Sequence, residues 1–203
     1  MHQREGDGWR ITMDTSGPLM IALYTRDVAG LDSIGQPALS PASPKIRAAD
    51  HAHLTADVGG QASLRTEWEA WWHQLLKAYP QCRPDLSPPD FASFGNSPAL
   101  QKIIQAHFGA ALSWTRDRRS EYAGLEAERE AAGAQLLLDD LVEDRLMEVG
   151  RSARDFELNI IELPLNEKRA WYLEPNRIIM SQDLLSQPEL FRSYVQPVVE
   201  LLA

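Results

Sequence analysis

Cysteine, lysine and long apolar runs are all scarce in this chain of 203 residues. Its single cysteine, Cys82, excludes an intramolecular disulfide and the paired-cysteine spacings of zinc and redox motifs. No apolar run approaches the roughly 20 residues that a membrane-spanning helix needs. The first residues carry acids and glycines where a secretory signal needs an apolar segment, so we expect a soluble, cytoplasmic protein.

Basic residues are also in the minority, with 20 Lys and Arg against 29 Asp and Glu and a net charge of −9. Nucleic acids and anionic membranes are bound by cationic surfaces, whose charges displace the counterions of the phosphates. The charge balance therefore argues against both ligands and favours a basic protein partner. Arginine greatly outnumbers lysine, which is typical of a high-GC bacterial genome. The oligomeric state is left open.

The signatures of several large enzyme classes are missing. The chain has no glycine-rich phosphate loop ending in Lys-Ser or Lys-Thr, no Gly-x-Ser-x-Gly elbow and no His-Glu-x-x-His pair. These absences exclude the enzyme families that depend on those motifs. They leave open an enzyme built on a less regular constellation of side chains.

The distribution of apolar residues predicts an α+β fold in a single domain over 9–203, preceded by a loose arm at 1–8. Alternation at 9–13 and an apolar run at 18–25 predict an N-terminal hairpin. Alternation returns later and predicts a three-strand antiparallel meander between 156 and 180. We expect the hairpin and the meander to form one antiparallel sheet that is covered by helices on one face.

Helical spacing of apolar residues predicts three to four helices packed on this sheet. Their expected first residues are Thr66, which fits a capping box with Glu69, then Ser97, Ser120 and Ser186. Proline and glycine predict irregular stretches at 26–63 and 80–97. Trp68, Trp71 and Trp72 recur on the first helix. Burial in the core is the usual role of such a stripe, and a Trp-lined ligand pocket is the alternative.

Acidic residues are concentrated between Glu121 and Glu148, a segment with nine acids and two bases. We expect a helix over about 120–149, with an interruption near Gly124 or Gly133 as the alternative. Inward-facing acids bind two metals in some helical bundles, but the Glu-x-x-His motifs of those sites are absent. A solvent-facing acidic surface favours a cationic partner, because complementary charge speeds association. The open face of the sheet is the alternative binding surface, with an aromatic anchor on the meander. The predicted partner-binding residues are Asp139, Asp140, Glu143, Asp144 and Trp171.

The histidines indicate a second possible function. His51 and His53, two residues apart on an extended segment, would point the same way, and Asp57 would add a third ligand for Zn, Mn or Fe. His107 lies on the apolar face of the helix that follows Ser97, where partial burial could tune a general base. The favoured hypothesis is a non-catalytic protein-interaction or regulatory module that needs no cofactor. The alternative is a metal-dependent hydrolase that uses these four residues.

Overall fold

The computed structural model describes residues 2–6, 8–81, 84–133, 136–150 and 154–203. These ranges contain six α-helices and one five-stranded sheet, so the predicted α+β class is confirmed. No helix within them is both long enough and apolar enough to cross a lipid bilayer. The chain divides into two compact units: residues 1–15 with 118–203, here the sheet unit, and residues 16–117, here the helical unit. Cys82 lies outside the described residues.

The sheet of the sheet unit is mixed rather than purely antiparallel. Its strands are β1 (His2–Gly6), β2 (Trp9–Asp14), β3 (Phe156–Leu163), β4 (Ala170–Leu173) and β5 (Arg177–Ser181), in the spatial order β1-β2-β3-β5-β4. The outer pairs β1–β2 and β4–β5 are antiparallel, whereas β2–β3 and β3–β5 are parallel. The prediction of an antiparallel sheet is therefore wrong. A parallel pair needs a long connection, which the residues between β2 and β3 supply.

The predicted meander is correct only for its last two strands. β4 and β5 form a hairpin, but β3 pairs with β5, placing Ile160 beside Ile178. Residues 158–163 of β3 and 178–181 of β5 are buried on both faces, whereas most of β4 is half-buried. Near-continuous apolar strands suit the centre of a parallel arrangement, and a partly exposed strand suits its edge.

The N-terminal hairpin is formed by residues other than those predicted. β2 coincides with the strand expected at 9–13, but its hairpin partner is β1. Residues 2–6 therefore belong to a paired strand rather than to a loose arm. The backbone of β1 is paired along its length, with Gln3 beside Thr12.

The apolar run at 18–25, predicted as a strand, is part of helix α1 (Gly17–Val28). The Ser16 side chain accepts a hydrogen bond from the Leu19 N–H at 3.5 Å, and Pro18 occupies the first turn. These helix-start signals explain why the segment is helical, because a short apolar run by itself is compatible with either a buried strand or a helix.

Helices make up most of the regular structure in the helical unit. They are α1, α2 (Ala52–Thr55), α3 (Gly60–Ala78) and the first part of α4 (Pro98–Ala131), with short 3₁₀ helices at Ala56–Val58 and Ala92–Phe94. Trp68, Trp71 and Trp72 of α3 are buried, so the core interpretation of this stripe is confirmed. The Trp68 Nε1–H donates a hydrogen bond to the Ala22 carbonyl at 2.9 Å, which joins α3 to α1.

Two predicted helix boundaries are wrong. α3 begins at Gly60, so Thr66 lies inside the helix and its hydroxyl donates to the Ala62 carbonyl at 3.2 Å instead of capping. α4 continues past Ser120 to Ala131, and α5 (Leu136–Val149) is a separate helix. Gly133, with φ 71, follows α4, and a left-handed glycine is a common way for a helix to end. The expected helix start at Ser120 is therefore wrong, whereas the alternative of an interruption near Gly133 is confirmed.

The core of the sheet unit lies between one sheet face and two helices. Ile160 and Ile178 of the central strands belong to one apolar cluster with Val142 of α5 and Phe191 of α6 (Pro188–Leu202). Because strand side chains alternate between faces, residues of odd number in β3 and β5 lie on the opposite side of the sheet. This packing fixes which face of α5 is exposed.

Candidate functional site

Helix α5 has a buried face and an acidic exposed face. Leu138, Leu141 and Val142 are buried in the core of the sheet unit. The opposite face carries Asp140, Glu143, Asp144, Met147 and Glu148, all exposed. These five residues, here the acidic face of α5, follow the spacing i, i+3, i+4, i+7, i+8 that places residues on one side of a helix. The predicted Asp139 is half-buried at the flank.

Met147 is the unusual member of the acidic face. Its side chain is 75% exposed, although methionine is among the residue types most often buried. Asp140, Glu143 and Asp144 form no ion pair with another described residue, so their charges are not neutralised locally. An exposed apolar side chain between unpaired carboxylates gives this surface both an apolar and an electrostatic binding element.

A groove between α5 and α6 borders the acidic face. Leu141 and Val199 form its apolar floor, and Met147 and Glu148 lie on its rim. The groove has a volume of about 440 Å³. Arg145 is held within it by two contacts at 3.3 Å, one to the Glu148 carboxylate and one to the Glu200 carbonyl. Arg145 is therefore already engaged, and Arg192 of α6 is a second arginine that lines the groove.

Trp171 does not lie on the acidic face. It is half-buried on the edge strand β4, and the Arg169 guanidinium carbon lies 5.5 Å from the centre of its ring. Its register partner is Ile179, whereas the neighbouring Tyr172 is paired with Ile178 of the core cluster. Alternation therefore directs Trp171 to the sheet face opposite α5. Trp171 therefore belongs to a different surface from the acidic face of α5, and its role in partner binding stays a prediction.

His51 and His107 are brought together within the helical unit. Their Nε2 atoms are 2.6 Å apart, and the two rings meet edge to face with centres 4.8 Å apart. His51 precedes α2, and its carbonyl accepts hydrogen bonds from the Leu54 and Thr55 backbone N–H groups. His107 projects from α4, so two separately anchored segments position the pair.

The surroundings of this pair favour neutral imidazoles. Burial, followed by the neighbouring His107, lowers the pKa of His51, while Ala49 and Asp50 act in the opposite direction to a smaller extent. Burial also lowers the pKa of His107. The Nδ1 atom of His51 is buried and has no hydrogen-bond partner among the described residues.

His53 and Asp57 take part in a different contact. Both line an open surface hollow with Lys102, and the Lys102 ammonium donates to both Asp57 carboxylate oxygens at 2.6 and 2.7 Å. The hydrogen bond from Lys102 lowers the pKa of Asp57. Within the described residues, no group of three or more His, Cys, Asp or Glu has a geometry that could hold a metal. Metal binding by His51, His53 and Asp57 together stays a prediction.

A buried carboxyl group in the sheet unit was missed by the sequence analysis. Glu162 of β3 is fully buried, and the Arg129 guanidinium donates to its Oε1 at 3.3 Å and also to the Gln182 carbonyl. Burial, then Asp14, raises the pKa of Glu162 well above its usual range. The sequence contained a signal for this buried position, because Glu162 continues the alternation of Leu158 and Ile160 on the inward face.

The chain was compared with known proteins in three ways. A scan against protein-family models finds no match, and searches of curated proteins and of solved structures find no similar chain. Any function must therefore be argued from the geometry described above.

Proposed function

We propose that this protein is a non-catalytic interaction module whose acidic face of α5 binds a basic, amphipathic segment of a partner protein. The observation that carries the proposal is the 75% exposure of Met147 among carboxylates that have no ion-pair partner in the described part of the chain. Methionine adapts its shape to irregular apolar surfaces and is common where proteins bind helical partners. The neighbouring groove offers the partner an apolar floor.

The charges and the apolar groups have different roles in this binding. Asp140, Glu143 and Asp144 attract a cationic segment and speed its encounter, an effect that salt weakens. Met147 and the groove floor then bury apolar side chains of the partner, which supplies most of the free energy of binding. A partner helix with Lys or Arg on one side and Leu or Met on the other satisfies both requirements.

The alternative hypothesis of a metal-dependent hydrolase has less support. It requires His51, His53 and Asp57 to share one metal, but Asp57 is held by Lys102 and His51 faces His107. Without a three-ligand group around one point, a metal-bound water has no defined place beside a general base. The geometry therefore supports the interaction module better than the hydrolase.

The test uses two labelled synthetic helical peptides of identical composition. One places all its Lys and Leu residues on opposite faces, and the other has the same residues scrambled. We expect the wild-type protein to bind the amphipathic peptide in fluorescence anisotropy, and Met147→Ala to weaken binding about fivefold, which corresponds to roughly 1 kcal/mol. Glu143→Gln with Asp144→Asn should weaken it about tenfold at low salt, with less effect at high salt.

A matched variant controls for net charge. Glu128→Gln with Glu130→Gln removes the same number of exposed charges near the end of α4, outside the acidic face, and should leave the affinity within about twofold of wild type. Equal binding of both peptides, or equal losses in the two double variants, would show general attraction to a negative protein and would refute the proposed site.

A further inference from the structure

The His51 and His107 side chains are placed as two nitrogen ligands would be before a metal ion binds between them. The two Nε2 atoms face each other at 2.6 Å, and no other described residue hydrogen-bonds to either of them. A neutral imidazole nitrogen is a preferred ligand of Zn²⁺ and Cu²⁺. The low-polarity surroundings favour this neutral form of both rings.

The two segments that carry the histidines are held by contacts away from the rings. The His51 carbonyl accepts hydrogen bonds from the Leu54 and Thr55 N–H groups at 3.0 and 3.2 Å and from the Thr55 hydroxyl at 3.2 Å. The bidentate contact between Asp57 and Lys102 joins the following 3₁₀ helix to α4, on the same helix as His107. The rings are therefore positioned by the fold and not by their own hydrogen bond alone.

A tetrahedral metal between the rings requires a small movement of the two nitrogens. With metal–nitrogen distances near 2.0–2.1 Å, two ligand nitrogens lie about 3.3 Å apart, so the present separation must widen by about 0.7 Å. The proposal requires this change to come from small rotations of the two side chains. The proton carried by one Nε2 moves to Nδ1 of the same ring, so each Nε2 presents a lone pair while both imidazoles stay neutral.

We propose that His51 and His107 form a two-imidazole site for one divalent transition-metal ion, Zn²⁺ or Cu²⁺, whose remaining positions are open to water or small anions. This site differs from the His51, His53 and Asp57 group expected from the sequence, because its second ligand comes from α4. It is independent of the proposed partner binding, because both histidines belong to the helical unit and the acidic face belongs to the sheet unit.

The first test is titration of the untagged, chelator-treated protein with Zn²⁺ in a calorimeter. We expect one ion per chain, no binding of Mg²⁺, which prefers oxygen ligands, and a loss of affinity of about tenfold or more in His107→Ala. His53→Ala and His73→Ala should bind like wild type. The last of these removes an exposed histidine of α3 and controls for nonspecific surface binding.

A second measurement uses only the wild-type protein, so its result does not depend on whether a variant folds correctly. Imidazole ¹⁵N spectra of the wild-type protein should show the Nε2 signals of two histidines moving together on addition of one equivalent of Zn²⁺. Wild-type affinity in His107→Ala would overturn the proposal, as would an equally large loss in His53→Ala. A shift of only one histidine in the spectra would also overturn it.

Discussion

Both units bury an arginine beside a carboxylate, but only one of the two pairs is fully hydrogen-bonded. In the helical unit, Arg26 is 3% exposed and donates to Asp27 at 2.6 Å and to the Leu39 and Ser40 carbonyls at 3.0 and 2.8 Å. The second Asp27 oxygen accepts the Ala42 N–H at 2.7 Å. In the sheet unit, Glu162 receives one contact from Arg129, and its Oε2 has no partner among the described residues.

The difference shows how the surroundings of a buried ion pair determine its effect on stability. A buried charge is costly unless its donors and acceptors are satisfied, and Arg26 meets that condition by binding the irregular segment that follows α1. Burial raises the pKa of Glu162 and lowers that of Arg129, so the low-polarity surroundings act against the charged form of both groups. The first pair should stabilise its unit, and the second should not.

Removal of Arg26 should have the largest effect. Arg26→Ala leaves Asp27 as a buried, unpaired carboxylate and removes the donors of two carbonyls, so we expect the free energy of unfolding to fall by about 3–5 kcal/mol. Urea denaturation measures the change, and Arg26→Lys should recover only part of it, because an ammonium cannot span the three acceptors. A loss below about 1 kcal/mol would contradict the stabilising role of this network.

Neutralising the two carboxylates should act in opposite directions. Asp27→Asn removes the charge that Arg26 pairs with, so we expect a loss of about 2 kcal/mol, the range of a hydrogen bond to a charged group. Glu162→Gln keeps an acceptor for Arg129 but removes a carboxyl group whose ionisation is unfavourable in the fold. We therefore expect this variant to be more stable than the wild type. Equal destabilisation of both variants in the same urea experiment at neutral pH would contradict the difference between the two pairs.

The smallest effect is a gain that depends on pH. Because the folded-state pKa of Glu162 is raised above the usual value of 4.5, the folded chain holds this proton more tightly than the unfolded chain. Its contribution to stability is fully present below pH 4.5 and is lost as the pH rises through the folded-state pKa. Glu162→Gln should therefore match the stability of the wild type at acid pH and exceed it at neutral pH. Parallel pH profiles would show that Glu162 is ionised in both states.

Local features of the fold were predictable because they depend on residues close in sequence. The 3.6-residue period of α3 predicted the burial of Trp68 and Trp72, and the exposure of Asp140 and Glu143 follows from the same period in α5. The strand at 9–13 was predicted by alternation alone. The structure of the run at 18–25 was not predicted correctly, because its six consecutive apolar residues carry no period and the cap at Ser16 had to be weighed against them.

The sequence by itself determined the α+β class, the acidic charge, the tryptophan core stripe and the acidic side of α5. Only the tertiary structure decided that β3 pairs with β5, that Trp171 faces away from α5, and that His51 meets His107. The physical reason is distance along the chain. Periodicity indicates which side of a helix or strand is buried. The segment that packs against that side depends on tertiary contacts between residues far apart in the sequence.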